Sequence, residues 1–150
     1  MLDAKDFLGC GWSFPPTFRK TADKHAGAVL VVGKEDIDQS LHIILSTSLG
    51  ERVMLPQFGC NLADYQFESI SNTMVGFLTD MVSNAILYYE ARIQLEKVTV
   101  SDPNSWDAIQ GILRINIDYI IRATNARHNY VYDFYLRDGS WDGITTTVIK

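Results

Sequence analysis

The sequence predicts a single α+β domain in which two main helices pack on a small antiparallel sheet. Two patterns indicate this fold class. Apolar residues recur at helical spacing in the first two thirds of the chain, and they alternate with polar residues in the last third. The length of 150 residues fits one domain, and a hydrophobic fraction of 47% is enough to bury a core.

The first helix is predicted over roughly residues 35–48, after a short strand within AVLVV at residues 28–32. Glu35 and Asp36 fall in its first turn, where the helix dipole favours acidic side chains. Gly50 is expected to end the helix in a left-handed conformation. The apolar stripe consists of four residues at helical spacing: Ile37, Leu41, Ile44 and Leu45.

The second helix is predicted from about Asn72 to Tyr89, with Ser71 or Asn72 capping its start. Its broad apolar stripe indicates core packing rather than a cofactor site. The stripe contains Met74, Phe77, Leu78, Met81, Val82, Ala85, Tyr88 and Tyr89.

Three strands are predicted after the second helix, forming a meander with one face against the helices. The first begins near Ile93 and changes phase before Val98, which suggests a bulge or a strand end. Residues 113–121 alternate most clearly, and residues 130–136 alternate again after a turn. The β-prone residues 144–149 are interpreted as a further edge strand. SDPNSWD, before the second strand, is expected to be a loop.

Residues 1–27 are expected to be irregular, because glycines and a Pro-Pro pair interrupt them. The aromatic side chains within this segment, at Trp12, Phe14 and Phe18, either anchor it to the domain or face a partner. Cys10 and Cys60 are predicted to be small buried or half-buried thiols rather than a disulfide.

Composition excludes several classes of function. The net charge is −5, and no cluster of Lys and Arg provides the basic patch that nucleic acids or anionic membranes require. The apolar runs are far too short to span a membrane, and the N-terminus lacks a signal-peptide pattern, so a cytoplasmic location is expected. No metal-ligand spacing or catalytic motif is found, so no metal, cofactor or catalytic residue is expected.

Four segments resemble, in the same order, the GPW family of phage-tail baseplate wedge proteins, whose relatives include the TssE subunit of type VI secretion systems. They are GCGWSFPPTF, EDIDQSLHIILSTSLGERVMLPQFGCNLADYQFE, YYEARIQLEKVTV and YVYDFYL. The resemblance indicates a baseplate domain over residues 1–136 and leaves residues 137–150 as a C-terminal extension.

The resemblance implies a structural, non-enzymatic subunit of a contractile injection machine, such as a phage tail, a type VI system or an extracellular injector. Such a subunit links the wedge core to the first sheath ring in a sixfold baseplate, so sheath and wedge subunits are the expected partners. It also implies that a sheet edge templates the sheath by strand addition. The candidate edges are residues 112–121, 130–136 and 144–149.

The resemblance also implies a site that faces the wedge core. The family has a Glu-Pro-Arg motif, and the matching residues are Glu90, Ala91 and Arg92, so the proline is missing. Residues two apart in a strand share a face, and Arg pairs well with a carboxylate. Glu51 and Arg52, from the loop after the first helix, are expected to support this site. These pairs form a docking patch, an internal ion-pair network, or both.

Two alternatives remain at this point. A lysozyme-like peptidoglycan hydrolase needs two carboxylates, one with a raised pKa, and Glu51, Asp64 and Glu68 are the candidates by position. Nothing in their spacing indicates a sugar cleft. A stand-alone regulatory binding protein is the other alternative, since the family resemblance extends to small anti-adaptor proteins.

Overall fold

The computed structural model describes residues 8–20 and 26–136. It confirms the α+β class and the packing of two main helices on an antiparallel sheet. The predicted strand at residues 144–149 and the extension at 137–150 lie outside the described residues. The elements in chain order are β1 (Cys10–Trp12), β2 (Phe18–Lys20), β3 (Ala26–Ala28), β4 (Leu30–Val32), α1 (Lys34–Ser46), a 3₁₀ turn (Leu62–Tyr65), α2 (Asn72–Tyr89), β5 (Ile93–Val100), α3 (Trp106–Ile109), β6 (Ile112–Ile121) and β7 (Ala126–Tyr135).

The N-terminal segment is more regular than the sequence suggested. β1 pairs with β4, and β2 pairs with β3, both antiparallel. The prediction of an irregular segment is therefore wrong for β1, β2 and the start of β3, whereas β4 lies within the strand predicted at residues 28–32. Strands of three residues are too short to show an alternating pattern. Trp12 and Phe18 are each 64% exposed and contact each other edge to face, so they do not anchor the segment. Phe14 does, because its ring packs against His42 of α1.

Both main helices form where their apolar stripes predicted them. α1 ends at Ser46, two residues earlier than expected, because Thr47 takes an extended conformation. Gly50 is left-handed, with φ 82°, but it lies three residues beyond the cap and does not end the helix. At the start of α2, the Ser71 hydroxyl accepts a hydrogen bond from the Met74 N–H at 3.2 Å, as the capping rule predicts.

The sheet has the order β5–β6–β7, with antiparallel pairing throughout. The register shifts between Leu95 and Lys97, which confirms the predicted bulge. Inward-facing residues of β6, among them Ile115 and Ile117, are fully buried against the helices. β6 is the central strand, so the expectation that residues 112–121 offer an open edge is wrong. Among the described residues, β5 and β7 are the outer strands.

Two smaller expectations also change. The SDPNSWD loop runs into α3, whose start is capped by the Ser105 hydroxyl accepting from the Ala108 N–H at 3.3 Å. Both cysteines are free thiols, as expected, and Cys60 is buried. Cys10 is exposed, because it lies on the outer face of the short β1–β4 ribbon.

Candidate partner-docking site

Glu90 and Arg92 form the predicted ion pair at the junction between α2 and β5. The Arg92 Nε and Nη2 groups donate to the two carboxylate oxygens of Glu90, each at 2.7 Å. Glu90 is the C-cap of α2, and its N–H bonds to the Ile86 carbonyl at 2.9 Å. The helix therefore ends at Tyr89 although residue 91 is alanine and not the proline that the resemblance implies at this position. The pair results from this helix-to-strand turn rather than from one face of a strand.

Arg92 also reaches two other parts of the chain. Its Nη1 group donates to the Asp36 carboxylate in the first turn of α1 and to the Leu8 carbonyl oxygen at 3.3 Å. A Cβ added at Gly11 would overlap the Asp36 carboxylate, so β1 approaches this closely only because residue 11 is glycine. Sequence reasoning missed Asp36 as a site residue, since the helix dipole already explained an acid at this position.

Burial and hydrogen bonding have opposite effects on the pKa of Glu90, which is only 4% exposed. Burial alone would raise its pKa, but hydrogen bonds from Arg92 and Ser40 outweigh burial and lower the pKa of the carboxyl. The hydrogen bonds to Glu90 and Asp36 in turn raise the pKa of Arg92. The pair therefore stays charged at neutral pH. Glu90 cannot serve as a general acid, which requires the opposite pKa shift.

A hydrogen-bonded loop at residues 48–60 borders this junction. The Gly50 N–H donates to the Pro56 carbonyl at 2.7 Å, and the Tyr89 hydroxyl donates to the Gln57 carbonyl at 2.6 Å. Gly59, with φ 112°, lies against the Thr47 backbone, where an added Cβ would overlap the Thr47 carbonyl oxygen. These contacts fix the loop on the ends of both helices.

Glu51 and Arg52 have separate roles in this loop. Glu51 accepts a hydrogen bond from the Ser48 N–H at 3.0 Å and so stabilises the turn. The Arg52 guanidinium lies over the Phe58 ring, 4.0 Å from its centroid. No ion pair among the described residues joins Glu51 and Arg52 to each other or to Arg92.

A surface cavity of about 300 Å³ brings Arg52 and Arg92 together. Asp36 and Arg92 lie at one part of its lining, and Trp12 of β1 and Phe58 of the loop contribute aromatic surface. Glu51 does not line it. The structure therefore brings three of the four predicted site residues into one region, with Arg52 and Arg92 at the cavity and Glu90 buried behind Arg92.

The tip of the same loop carries exposed apolar side chains. Val53 and Met54 are 90% and 94% exposed, although the loop beneath them is held by backbone hydrogen bonds. Apolar side chains on a rigid, protruding loop are typical of contact surfaces. The sequence GERVMLPQFG suggested a docking surface here, but it could not show which of these residues point outward.

The three hydrolase candidates make local hydrogen bonds or face solvent. Glu51 caps a backbone N–H, Asp64 accepts from the Asn61 amide at 2.8 Å, and Glu68 is exposed. Within residues 8–20 and 26–136, no group of three or more His, Cys, Asp or Glu side chains is placed to hold a metal ion. In the same described part of the chain, no helix has the length and apolar character to cross a membrane.

Solved structures of baseplate components resemble this domain. A protein in the sixfold-symmetrised baseplate of the anti-feeding prophage is 26% identical, with a TM-score of 0.59 over 93% of this chain and 94% of that chain. A chain of the type VI secretion baseplate complex shares the fold, at 15% identity and a TM-score of 0.52 over 69% of this chain and 93% of that chain. The fold is thus that of baseplate subunits of contractile injection systems.

The sequence comparison defines the family. Residues 31–126 match the model of the family described as baseplate wedge protein gp25, and the chain belongs to this family. The gp25 protein of Enterobacteria phage T4 is 33% identical over 69 residues, which is 46% of this chain and 52% of the T4 protein. The chain thus spans about half the length of this curated relative. The resemblance deduced from the sequence is confirmed.

One further similar structure bears on the enzymatic alternative. A Geobacter sulfurreducens protein described as a candidate tail lysozyme is 44% identical, with a TM-score of 0.65 over 76% of this chain and 100% of that chain. The family to which the present chain belongs is one of structural baseplate proteins.

Proposed function

We propose that this subunit links the wedge core of a baseplate to the first ring of the sheath, and that β7 receives a strand from a sheath subunit. The observation that carries this proposal is the outer edge of β7, which pairs with no other described strand. Unpaired strand edges offer backbone donors and acceptors to another chain.

The backbone groups available on β7 follow from its register. The Leu136 N–H donates to the Gly111 carbonyl, and Tyr135 lies opposite Ile112. Because backbone groups alternate in direction along an antiparallel strand, the odd-numbered residues of β7 direct theirs away from β6. These residues are Arg127, Asn129, Val131, Asp133 and Tyr135. They offer an uninterrupted ladder for an added strand.

The opposite edge of the sheet is less suited to strand addition. β5 contains the bulge between Leu95 and Lys97, which breaks the even spacing of its backbone groups. A bulge is one of the devices that protect a strand edge from pairing with another chain. β7 has no register shift along its pairing with β6.

Docking to the wedge core is assigned to the junction between α2 and β5, and β5 lies at the sheet edge opposite β7. Arg92, held by Glu90, and Arg52, presented by the loop that Glu51 stabilises, lie beside the cavity and the exposed loop tip. This supports a contact surface separated from the β7 edge, so that one subunit can bind core and sheath simultaneously. The protein is then assembled in the cytoplasm as a structural subunit with no hydrolase activity.

The strand-addition proposal is tested with Val131→Pro. Proline removes one outward N–H at the centre of the β7 edge but no bond to β6, so the domain should still fold. Val131→Thr keeps the N–H and the branched side chain and is the matched control. Baseplates carrying the proline variant should fail to start sheath polymerisation in electron micrographs, whereas the threonine variant should behave normally. Normal sheaths on folded Val131→Pro baseplates contradict the proposal.

The wider assignment is tested by recovering the tagged protein from its native cells and identifying the associated proteins by mass spectrometry. Sheath and wedge subunits should be recovered together. Recovery of a single regulator instead favours the regulatory alternative. Release of soluble fragments from purified peptidoglycan by the wild-type protein contradicts the non-enzymatic role.

A further inference from the structure

The guanidinium of Arg52 has a defined orientation but no acidic partner within residues 8–20 and 26–136. Its face is covered by Phe58, 4.0 Å from the ring centroid, and Phe58 itself packs on Tyr89 at 4.9 Å between ring centroids. Stacking occupies the face of a guanidinium and leaves the N–H groups along its edge available. No ion pair among the described residues uses them, since the neighbouring Glu51 caps the Ser48 N–H instead.

Arg92 contrasts with Arg52 although both line the same cavity. Arg92 donates to Glu90, Asp36 and the Leu8 carbonyl, so most of its N–H groups are already used. Together, the Arg92, Glu90 and Asp36 side chains carry one net negative charge. A carboxylate that enters the cavity from a partner is therefore repelled by these three side chains and attracted by Arg52.

We propose that the cavity receives an aspartate or glutamate side chain of a wedge-core subunit, and that the edge of the Arg52 guanidinium binds its carboxylate. The cavity volume of about 300 Å³ accommodates a side chain of this size together with adjacent apolar groups. Trp12 and Phe58 supply apolar surface for the methylene groups of that side chain. This inference rests on the proposed function, because it names the chemistry by which the wedge core is bound.

The geometry of Arg52 favours hydrogen bonding to both oxygens of a carboxylate over a simple attraction between two charges. A stacked guanidinium presents two parallel N–H groups that match two carboxylate oxygens, whereas a lysine ammonium is a single point charge. Arg52→Lys should therefore restore only a minor part of the affinity lost in Arg52→Ala. Phe58→Leu keeps an apolar side chain but removes the stacking surface, and it should weaken binding to an intermediate degree.

The test measures the affinity of the purified full chain for the wedge-core subunits of the same machine. Arg52→Ala should weaken binding by roughly ten- to hundredfold, the usual effect of losing hydrogen bonds to a charged group. The melting temperature should change little, because Arg52 is exposed and contacts mainly Phe58. Arg114→Ala, which removes an exposed arginine from the outer face of the central strand β6, is the matched control and should bind like wild type.

The outcomes separate this inference from the proposed function. If wild type binds the wedge core and Arg52→Ala binds within about twofold of it, the carboxylate site is refuted while the docking function stands. If wild type does not bind the wedge core at all, both are refuted. Rescue of Arg52→Glu by changing one partner carboxylate to lysine identifies the bound residue and confirms the inference.

Discussion

Replacing Arg92 by methionine should destabilise the domain by about 3 kcal/mol at pH 7. Methionine keeps much of the apolar stem, so the main loss is the charged head. Removing one member of a buried ion pair typically costs about 3–5 kcal/mol, because the remaining charge is left without a partner. Glu90, only 4% exposed, loses both side-chain donors of Arg92 and keeps the Arg92 backbone N–H and the hydrogen bond from Ser40. The lower end of that range applies because the Arg92 side chain is 29% exposed, so water can reach part of the vacated space.

Urea denaturation of wild type, Arg92→Met, Glu90→Gln and the double variant measures this directly. Glu90→Gln removes the carboxylate that Arg92→Met leaves unpaired, so the double variant should be more stable than the sum of the two single losses predicts. In a domain of this size the single change should lower the melting temperature by roughly 6–12 °C.

Two results would refute the reasoning. An Arg92→Met variant within about 0.5 kcal/mol of wild type would mean that water already solvates Glu90. Strict additivity in the double variant would mean that Glu90 and Arg92 do not stabilise each other. Either result would leave the Arg92 network as a surface feature rather than a structural connection.

Three further predictions concern acid stability, the central strand and the loop. Because pairing lowers the pKa of Glu90 in the folded state, its contribution is present above the ordinary pKa of 4.5 and is lost as the pH falls through the lower folded pKa. Denaturation curves should accordingly fall less steeply with acid for Glu90→Gln than for wild type. Ile117→Pro removes a backbone hydrogen-bond donor and a fully buried side chain from β6. Calorimetry should show that the free energy of unfolding falls by more than about 3 kcal/mol, or that no folding transition remains. An unchanged transition would contradict the strand assignment. Gly59→Ala combines a positive φ with an overlap at Thr47 and should cost about 2 kcal/mol or more by the same assay, whereas a neutral effect would show that the loop can shift.

The sequence predicted those elements whose residues repeat a pattern over several turns or pairs. α2 and β6 were located within a residue or two, and the β5 bulge was visible as a change of phase at Leu95. The short strands β1 to β3 escaped prediction, because three residues are too few to show alternation, whereas β4 lies within the strand predicted at residues 28–32. The order of the strands was also hidden, so residues 112–121 were wrongly included among the open edges.

The candidate site was predictable only in part. The predicted pairing of Glu90 and Arg92 is present, but the reason given for it, two residues on one face of a strand, was wrong, because the pair lies at the helix-to-strand turn. Asp36 and the Leu8 carbonyl join them through tertiary contacts, and nothing in the local sequence encodes such distant neighbours. The separate roles of Glu51 and Arg52 depend on the course of the loop, which follows from backbone hydrogen bonds rather than from side-chain periodicity.

The contacts of Arg92 have a consequence for folding kinetics. β5, β6 and β7 are joined as successive hairpins, whereas the bond from Arg92 to the Leu8 carbonyl connects residues 84 apart in sequence, and that to Asp36 connects residues 56 apart. Closing such long loops costs chain entropy that local hairpins do not require, so the meander should form before the N-terminal segment docks on it. Loss of the Arg92 contacts should therefore appear mainly as faster unfolding, with the folding rate nearly unchanged.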